Sequence, residues 1–213
     1  MKILNLYSGI GGNRKLWGDE HEVTSVEYNE EIAMIYKDYF PNDNVVVGDA
    51  HAYLLEHYKE FDFIWSSPPC QTHSDIRRMG VVAGMYEAKF PDMNLWQEIV
   101  FMKHFFKGQY VVENVKPYYE PFVKPNTILE RHYFWSNINI EPTNFEKQKF
   151  DIRKKGSIGF GFDITKYKIK HRKDQIIRNC VNPELGLHIL NCALAKKVIK
   201  KDYEQGSLFG GQM

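Results

Sequence analysis

The sequence predicts an α/β fold with a largely parallel sheet, and three observations carry that prediction. Runs expected as strands, near residues 2–7, 22–27, 44–47, 61–65 and 109–113, alternate with helical stretches near 29–39, 51–58 and 92–106. Such alternation puts helices across a parallel sheet and a ligand at the C-terminal strand ends. The first strand, Ile3-Leu4-Asn5-Leu6, runs into a glycine-rich turn, Tyr7-Ser8-Gly9-Ile10-Gly11-Gly12. The second, Val23-Thr24-Ser25-Val26, ends in Glu27, 18 residues beyond Gly9.

Each element has its own reason. Glycines at a strand-to-helix turn let the backbone approach a ligand closely, and the helix N-terminus that follows faces it. An acid at the tip of the next strand suits a grip on ribose hydroxyls. The fourth strand, Phe61-Asp62-Phe63-Ile64-Trp65, leads into Ser66-Ser67-Pro68-Pro69-Cys70-Gln71-Thr72-His73-Ser74. Two prolines fix φ and remove backbone donors ahead of Cys70, so its thiol is presented in one geometry. A structural cysteine has no need of such a pedestal. The loop through Gly80, Gly84 and Phe90 is long, has glycines at hinge positions and is expected to be a mobile lid. Trp96, in the helix that follows, reads as core. The fifth strand, Tyr110-Val111-Val112, ends in Glu113-Asn114, and a carboxylate there has a partner or a task. Leu185 to Lys200 reads as a closing helix, apolar on one face and basic near its end.

Composition bounds the rest. No apolar run is long enough to span a membrane, and the chain opens directly in a strand without a signal peptide. The three cysteines, Cys70, Cys180 and Cys192, form no metal-ligand pair and no disulfide framework. Cys180 and Cys192 read as core thiols, and the expected compartment is a reducing cytoplasm. Net charge is only +1, yet residues 147–173 hold ten Lys or Arg against two Asp, a local +8 that leaves about −7 elsewhere. That asymmetry reads as an electrostatic footprint for phosphates, centred on Arg153, Lys154, Lys155, Lys166, Lys168, Lys170 and Arg172. Gly156-Ser157-Ile158-Gly159-Phe160-Gly161-Phe162 interrupts the basic run with glycines and aromatics and is expected to follow a backbone and stack on or wedge a base.

Taken together, these motifs resemble the cytosine-C5 DNA methyltransferases, in a small form, from the first strand to about Ala193. Leu6 to Gly12 is similar to the family's S-adenosylmethionine loop, with Tyr7 where an aromatic packs on the adenine. Glu27 falls at the ribose-binding acid, and Gly48-Asp49-Ala50 where an aspartate contacts the adenine amine. Pro69-Cys70-Gln71 with Ser74 resembles the nucleophile motif, and Glu113-Asn114-Val115 the motif that holds the cytosine edge. Glu130-Arg131-His132-Tyr133-Phe134 resembles the arginine motif, and Arg178-Asn179-Cys180-Val181-Asn182-Pro183 the element that closes the cofactor pocket.

The resemblance implies a Rossmann-like, S-adenosylmethionine-dependent methyltransferase sheet carrying a small basic insert. The implied organisation is a catalytic core at 1–136, a target-recognition insert at 137–177, a closing helix at 178–202 and a flexible tail at 203–213. The implied cofactor set is Tyr7, Gly9, Gly11, Gly12, Glu27, Asp49, Pro69 and Asn179. The chemistry of the residues agrees with it. Cytosine C5 is a poor nucleophile, and a thiolate adding at C6 turns the ring into an enamine-like species that attacks a sulfonium methyl group. Cys70 would be that thiolate, with a helix N-terminus or Arg77 and Arg78 lowering its pKa. Glu113 would serve N3, Arg131 the C2 carbonyl, and Gln71 and Asn114 would orient neighbours. The target carbon is unreachable inside a duplex, so the base is flipped or the strand is unpaired.

Two departures matter. The insert Asn137–Ile177 is too small to present many base-reading side chains, which implies a short recognition sequence of roughly two to four base pairs or reliance on a partner. Leu129 stands where the family often has a first arginine, and Arg178 replaces the usual glycine before Asn179. The tail Gln205-Gly206-Ser207-Leu208-Phe209 resembles the pentapeptide with which bacterial proteins bind a sliding clamp, Gln205, Leu208 and Phe209 being the contacts. Such a tether would raise the local DNA concentration without base readout. Two other readings stay open. One branch of the family acts on tRNA with the same Cys, Glu and Arg, and a catalytically silent nucleic-acid-binding subunit is the third.

Overall fold

The computed structural model describes residues 1–145 and 157–195. Its centre is a seven-stranded sheet of order β3-β2-β1-β4-β5-β7-β6. The strands are β1 (Lys2–Leu6), β2 (Glu22–Glu27), β3 (Asn44–Val47), β4 (Phe63–Ser66), β5 (Gln109–Val115), β6 (Thr127–Leu129) and β7 (His132–Ser136). The first five run parallel, and β7 alone is reversed, pairing antiparallel with both β5 and β6. The α/β architecture read from the sequence is the one observed, with the expected strands within a residue or two. β6 and β7 were not anticipated, because Thr127–Leu129 is too short to show a period.

Successive residues of the central strands face opposite sides of the sheet. Ile3, Phe63, Trp65, Val111 and Phe134 form one core with Leu185, Ile189 and Leu190 of α6 (Pro183–Leu194). Their neighbours Leu4, Ile64, Val112 and Trp135 form a second with Leu54 of α2 (Ala50–His57) and Leu95, Trp96 and Ile99 of a long helix, Asn94–Phe105. Both faces are covered, which is why these strands read as unbroken apolar runs. Each such fully buried aliphatic or aromatic side chain contributes roughly 1.5–3 kcal/mol. Trp96 is core, as read, and gives its indole N–H to Tyr119 Oη at 3.2 Å.

The helices start where capping residues stand. Asn29 caps α1 (Glu30–Tyr39) through Ile32 N at 3.1 Å, and Asn182 caps α6 with Pro183 in its first turn. A buried pair invisible in the sequence links the first loop to α1. Arg14 donates from both Nε and Nη2 to Asp43 at 2.9 Å, with both residues at most 3% exposed.

Three expectations are corrected. The stretch after Cys70, read as a mobile lid loop through Gly80, Gly84 and Phe90, contains α3 (Asp75–Val82), while α4 (the Asn94–Phe105 helix) follows where a helix was expected. Gly80 is no hinge there: it lies inside α3, where a Cβ would run into the Tyr86 ring. Phe162 does not reach for a base. It lies in β9 (Phe162–Asp163), paired with β8 (Ile158–Gly159), and is fully buried in a third core with Ile10, Ile35 and Ile176. The glycine–apolar alternation of that hairpin serves packing beside α1, where Phe162 meets the Tyr39 ring edge-on at 4.8 Å. α5 (Lys173–Arg178) follows, and the closing helix ends at Leu194 within the described residues.

Candidate active site

The chemistry-bearing residues converge at the C-terminal ends of β4 and β5. The Pro68-Pro69-Cys70 loop is held from β5, where Asn114 Nδ2 donates to the Pro68 carbonyl at 2.8 Å. Ser67 Oγ accepts from Trp65 Nε1 at 2.8 Å and donates to Glu113 Oε2 at 2.9 Å. After Cys70 the chain folds back at once, with His73 N and Ser74 N both donating to the Cys70 carbonyl at 3.1 Å. His73, fully buried, meets Tyr119 Oη at 2.6 Å through Nδ1, and Thr72 Oγ1 accepts from Asp92 N at 2.9 Å. The nucleophile loop is thereby fixed on both sides.

β7 supplies the third group. Because it runs antiparallel to β5 and starts where β5 ends, the tight β6–β7 turn returns Arg131 beside the tip of β5, where Lys116 N donates to the Arg131 carbonyl at 3.1 Å. Glu130 takes φ 53° to make that turn, the left-handed conformation a two-residue hairpin demands at its first position. His132 Nε2 lies 3.6 Å from Glu113 Oε1. Glu113, 6% exposed, is therefore flanked by a hydroxyl and an imidazole.

Burial pushes the Cys70 thiol above its ordinary pKa, and the Glu113 carboxylate adds to the rise, while Arg131 works against it. This corrects the expectation for Arg77 and Arg78. Arg77 lies over the Tyr86 ring at 4.3 Å and Arg78 over Tyr118 at 5.3 Å, and the arginine that acts on the thiol is Arg131. Gln71 is exposed beside the thiol.

The glycine-rich turn forms the other side. Tyr7 (φ 56°) and Gly9 (φ 55°) are both left-handed, and for a non-glycine residue that conformation costs roughly 1–2 kcal/mol. Glu27 accepts from Gly9 N at 3.0 Å and Asn29 N at 2.9 Å, and burial raises its pKa against those hydrogen bonds. Gly12 packs on the closing segment, where a Cβ would sit 2.5 Å from the Val181 carbonyl oxygen, and a Cβ on Gly11 (φ 85°) would strike Phe40. Asn179, exposed at the end of α5, precedes that contact. Asp49 is exposed and caps α2, accepting from His51 N at 2.8 Å and Ala52 N at 3.1 Å through Oδ1.

These residues fit S-adenosylmethionine. A Cβ on Gly9 would meet nothing within 4 Å, so the turn has open space on its ligand side, and Ser8 Oγ is buried with no hydrogen-bond partner among the described residues. A sulfonium nucleoside bearing hydroxyls and an amino acid needs such free donors and acceptors at a strand end. Tyr7 turns its hydroxyl inward to Glu98 at 2.6 Å, whereas Tyr28, next to Glu27, is 79% exposed.

The basic residues divide. Lys170, His171 and Arg172 wall an open cleft of about 620 Å³ against Asn29, Glu30 and Glu31, and His171 stabilises the Glu27 carboxylate. Lys166 Nζ is 3.8 Å from Asp38, Lys168 is exposed, and Arg172 pairs with Asp174 at 2.8 Å. Arg153, Lys154, Lys155, Gln205, Leu208 and Phe209 lie outside the described residues.

Sequence reasoning missed Ser67, His132, Tyr28 and the fully buried Glu98. Ser67, His132 and Tyr28 each neighbour a residue that was named, and that adjacency was the available signal. Glu98 sits mid-helix, where nothing in the sequence marks it. No group of three or more metal-ligating side chains occurs among the described residues, and none of their helices is long and apolar enough to cross a membrane.

A family model described as C-5 cytosine-specific DNA methylase matches residues 1–121. The chain is 30% identical over 86 residues to the tRNA (cytosine(38)-C(5))-methyltransferase of Homo sapiens, covering 38% of this chain and 22% of that protein. To the enzyme of that name from Spodoptera frugiperda it is 37% identical over 76 residues, covering 33% of this chain and 23% of that protein. The chain thus spans less than a quarter of the length of these curated relatives. A crystal structure of a Spodoptera frugiperda DNMT2 mutant aligns with TM-score 0.38 and 27% identity, over 54% of this chain and 35% of that one.

Proposed function

The chain belongs to the C-5 cytosine-specific DNA methylase family, and from that membership we propose that it methylates cytosine C5 in DNA through a covalent adduct at Cys70. The observation that carries the reading is the convergence of three groups. Cys70, Glu113 and Arg131 come from separate segments, and Glu113 and Arg131 both act electrostatically on the Cys70 thiol.

The family's cofactor is S-adenosylmethionine, which when bound supplies an electrophilic methyl group; Glu27, Asp49, Ser8 and the turn from Gly9 to Gly12 are the residues that would hold it, with Tyr28 as the exposed aromatic available to an adenine. Cys70 then passes its proton to the Glu113 carboxylate, and its sulfur forms a bond to C6 as the ring electrons move toward C5 and N3. Glu113, oriented by Ser67 and His132, donates a proton or a strong hydrogen bond at N3 as that charge builds. Arg131 stabilises the C2 carbonyl oxygen. C5, now nucleophilic, takes the methyl group; the C5 proton then passes to water as the carbon–sulfur bond breaks, and the N3 proton returns through Glu113 to the departing thiolate, restoring the thiol and the aromatic ring. The raised thiol pKa suits this order, since deprotonation waits until substrate alters the site. The base reaches Cys70 out of its stack, and Arg77 and Arg172 are suited to phosphates on the way in.

A second reading, cytosine methylation in tRNA, is favoured by the names of the curated relatives. Labelled S-adenosylmethionine with either duplex DNA or tRNA, followed by nucleoside mass spectrometry, separates the two. We expect 5-methylcytosine in DNA, abolished by Cys70→Ala. Product in tRNA alone would replace the DNA reading with the second, and product in neither would overturn both.

A further inference from the structure

Glu98, the carboxylate of α4, is fully buried, and among the described residues its ion-pair partner is His51. Its hydrogen bonds come from three separate segments around the site. Tyr7 Oη donates to Oε1 at 2.6 Å, His51 Nδ1 lies 3.0 Å from the same oxygen, and Ser66 Oγ donates to Oε2 at 2.5 Å. Tyr7 opens the glycine-rich turn in a left-handed conformation that a tyrosine does not adopt unaided. His51 sits in the first turn of α2, two residues after Asp49. Ser66 is the last residue of β4, four positions before Cys70. A buried carboxylate is costly unless its lone pairs are satisfied, so its position and those of its donors are mutually fixed.

Resting on the reading of this site as a cofactor-dependent methyltransferase, we propose that Glu98 is a positioning residue that sets the methyl-donor loop in register with the nucleophile strand, acting on the first through Tyr7 and on the second through Ser66. Methyl transfer between two bound groups depends steeply on their separation, and a misplacement of about 1 Å can cost on the order of 10²-fold. Both loops that define the separation hang from the same carboxylate. Burial and the Glu98 charge hold the Tyr7 hydroxyl protonated, and the bond to Glu98 favours the charged form of His51, so neither donor is lost near neutral pH.

The two arms make separable predictions. S-adenosylhomocysteine binding is measured by calorimetry without nucleic acid, together with thermal melting and the single-turnover rate at saturating S-adenosylmethionine. Tyr7→Phe should weaken binding about tenfold, the effect of one hydrogen bond to a carboxylate. Ser66→Ala should leave binding within about twofold and slow the single-turnover step about tenfold. Glu98→Gln, close to isosteric, should do both while still folding cooperatively. Unchanged binding in both Tyr7→Phe and Glu98→Gln would overturn the proposal. So would affinity and rate that fall together in every variant in proportion to melting temperature, the mark of a role in stability alone. Binding is read without substrate, so a wild-type protein that binds the cofactor product yet methylates neither DNA nor tRNA would count against the proposed function and leave this inference standing.

Discussion

Ser67 and Glu113 are joined across the gap between β4 and β5, the serine hydroxyl donating to the carboxylate at 2.9 Å. The contact turns Glu113 toward the mouth of the site and ties it to the residue before Pro68-Pro69-Cys70. Ser67→Ala should therefore slow methylation roughly 10- to 100-fold, the range for a hydrogen bond to a charged group. Glu113→Gln should cost about 10² to 10⁴-fold. Steady-state rates at saturating nucleic acid check both, and a Ser67→Ala enzyme of full activity would remove the serine from the mechanism.

The Cys70 thiol stays protonated past its ordinary value of 9.0. Alkylation by iodoacetamide, which consumes thiolate, should thus keep accelerating as pH rises through 9 in the free protein. Glu113→Gln removes a charge that raises the pKa, so its profile should move to lower pH. Arg131→Ala removes the charge that opposes the rise, so its profile should move higher. A profile that levels off below pH 9 would contradict the account.

Gly9 and Gly12 are glycines for different reasons, and alanine should separate them. At Gly9 there is open space but φ is 55°, so Gly9→Ala should cost about 1–2 kcal/mol of backbone strain. At Gly12 the new Cβ would sit 2.5 Å from the Val181 carbonyl oxygen. Gly12→Ala should push the closing segment away, at about 1–3 kcal/mol for overpacking, and weaken S-adenosylhomocysteine binding by about tenfold or more. Denaturant titration and calorimetry report the two quantities.

His73 is held neutral by burial, below its ordinary pKa of 6.5. The unfolded chain takes up a proton near 6.5 that the folded chain refuses, so unfolded molecules bind more protons just below that pH. Stability is therefore full above 6.5 and declines as pH falls toward the depressed folded value. The wild-type melting temperature should drop over that interval more steeply than that of His73→Gln. His21, also depressed by burial, is common to both proteins and cancels in the comparison.

Arg77 lies over the Tyr86 ring at 4.3 Å, and Arg172 borders the open cleft beside Asn29 and Glu30. If both engage phosphates, Arg77→Ala and Arg172→Ala should each lower the slope of log affinity against log salt by about one, with little change in sequence preference. Binding isotherms over a range of salt test this. An unaltered slope in both variants would leave the two arginines without a role in phosphate binding.

The sequence by itself determined the five parallel strands and marked the candidate reacting groups at their ends. Strand-to-turn transitions at Gly9, Glu27, Cys70 and Glu113 are local signals, because proline, glycine and a strand-ending carboxylate act within a few residues of themselves. Tertiary structure decided the partners of those groups. The tight turn at Glu130 and the reversal of β7 bring Arg131 and His132 to Glu113, and no local pattern encodes an antiparallel return across a parallel sheet. Phe162 looked like a residue for nucleic acid until the third core claimed it, because an aromatic between glycines reads the same whether it packs on a helix or on a base. Glu98 shows the limit most clearly. Its place in α4 is ordinary, and only the burial created by three separate segments gives its carboxylate a task.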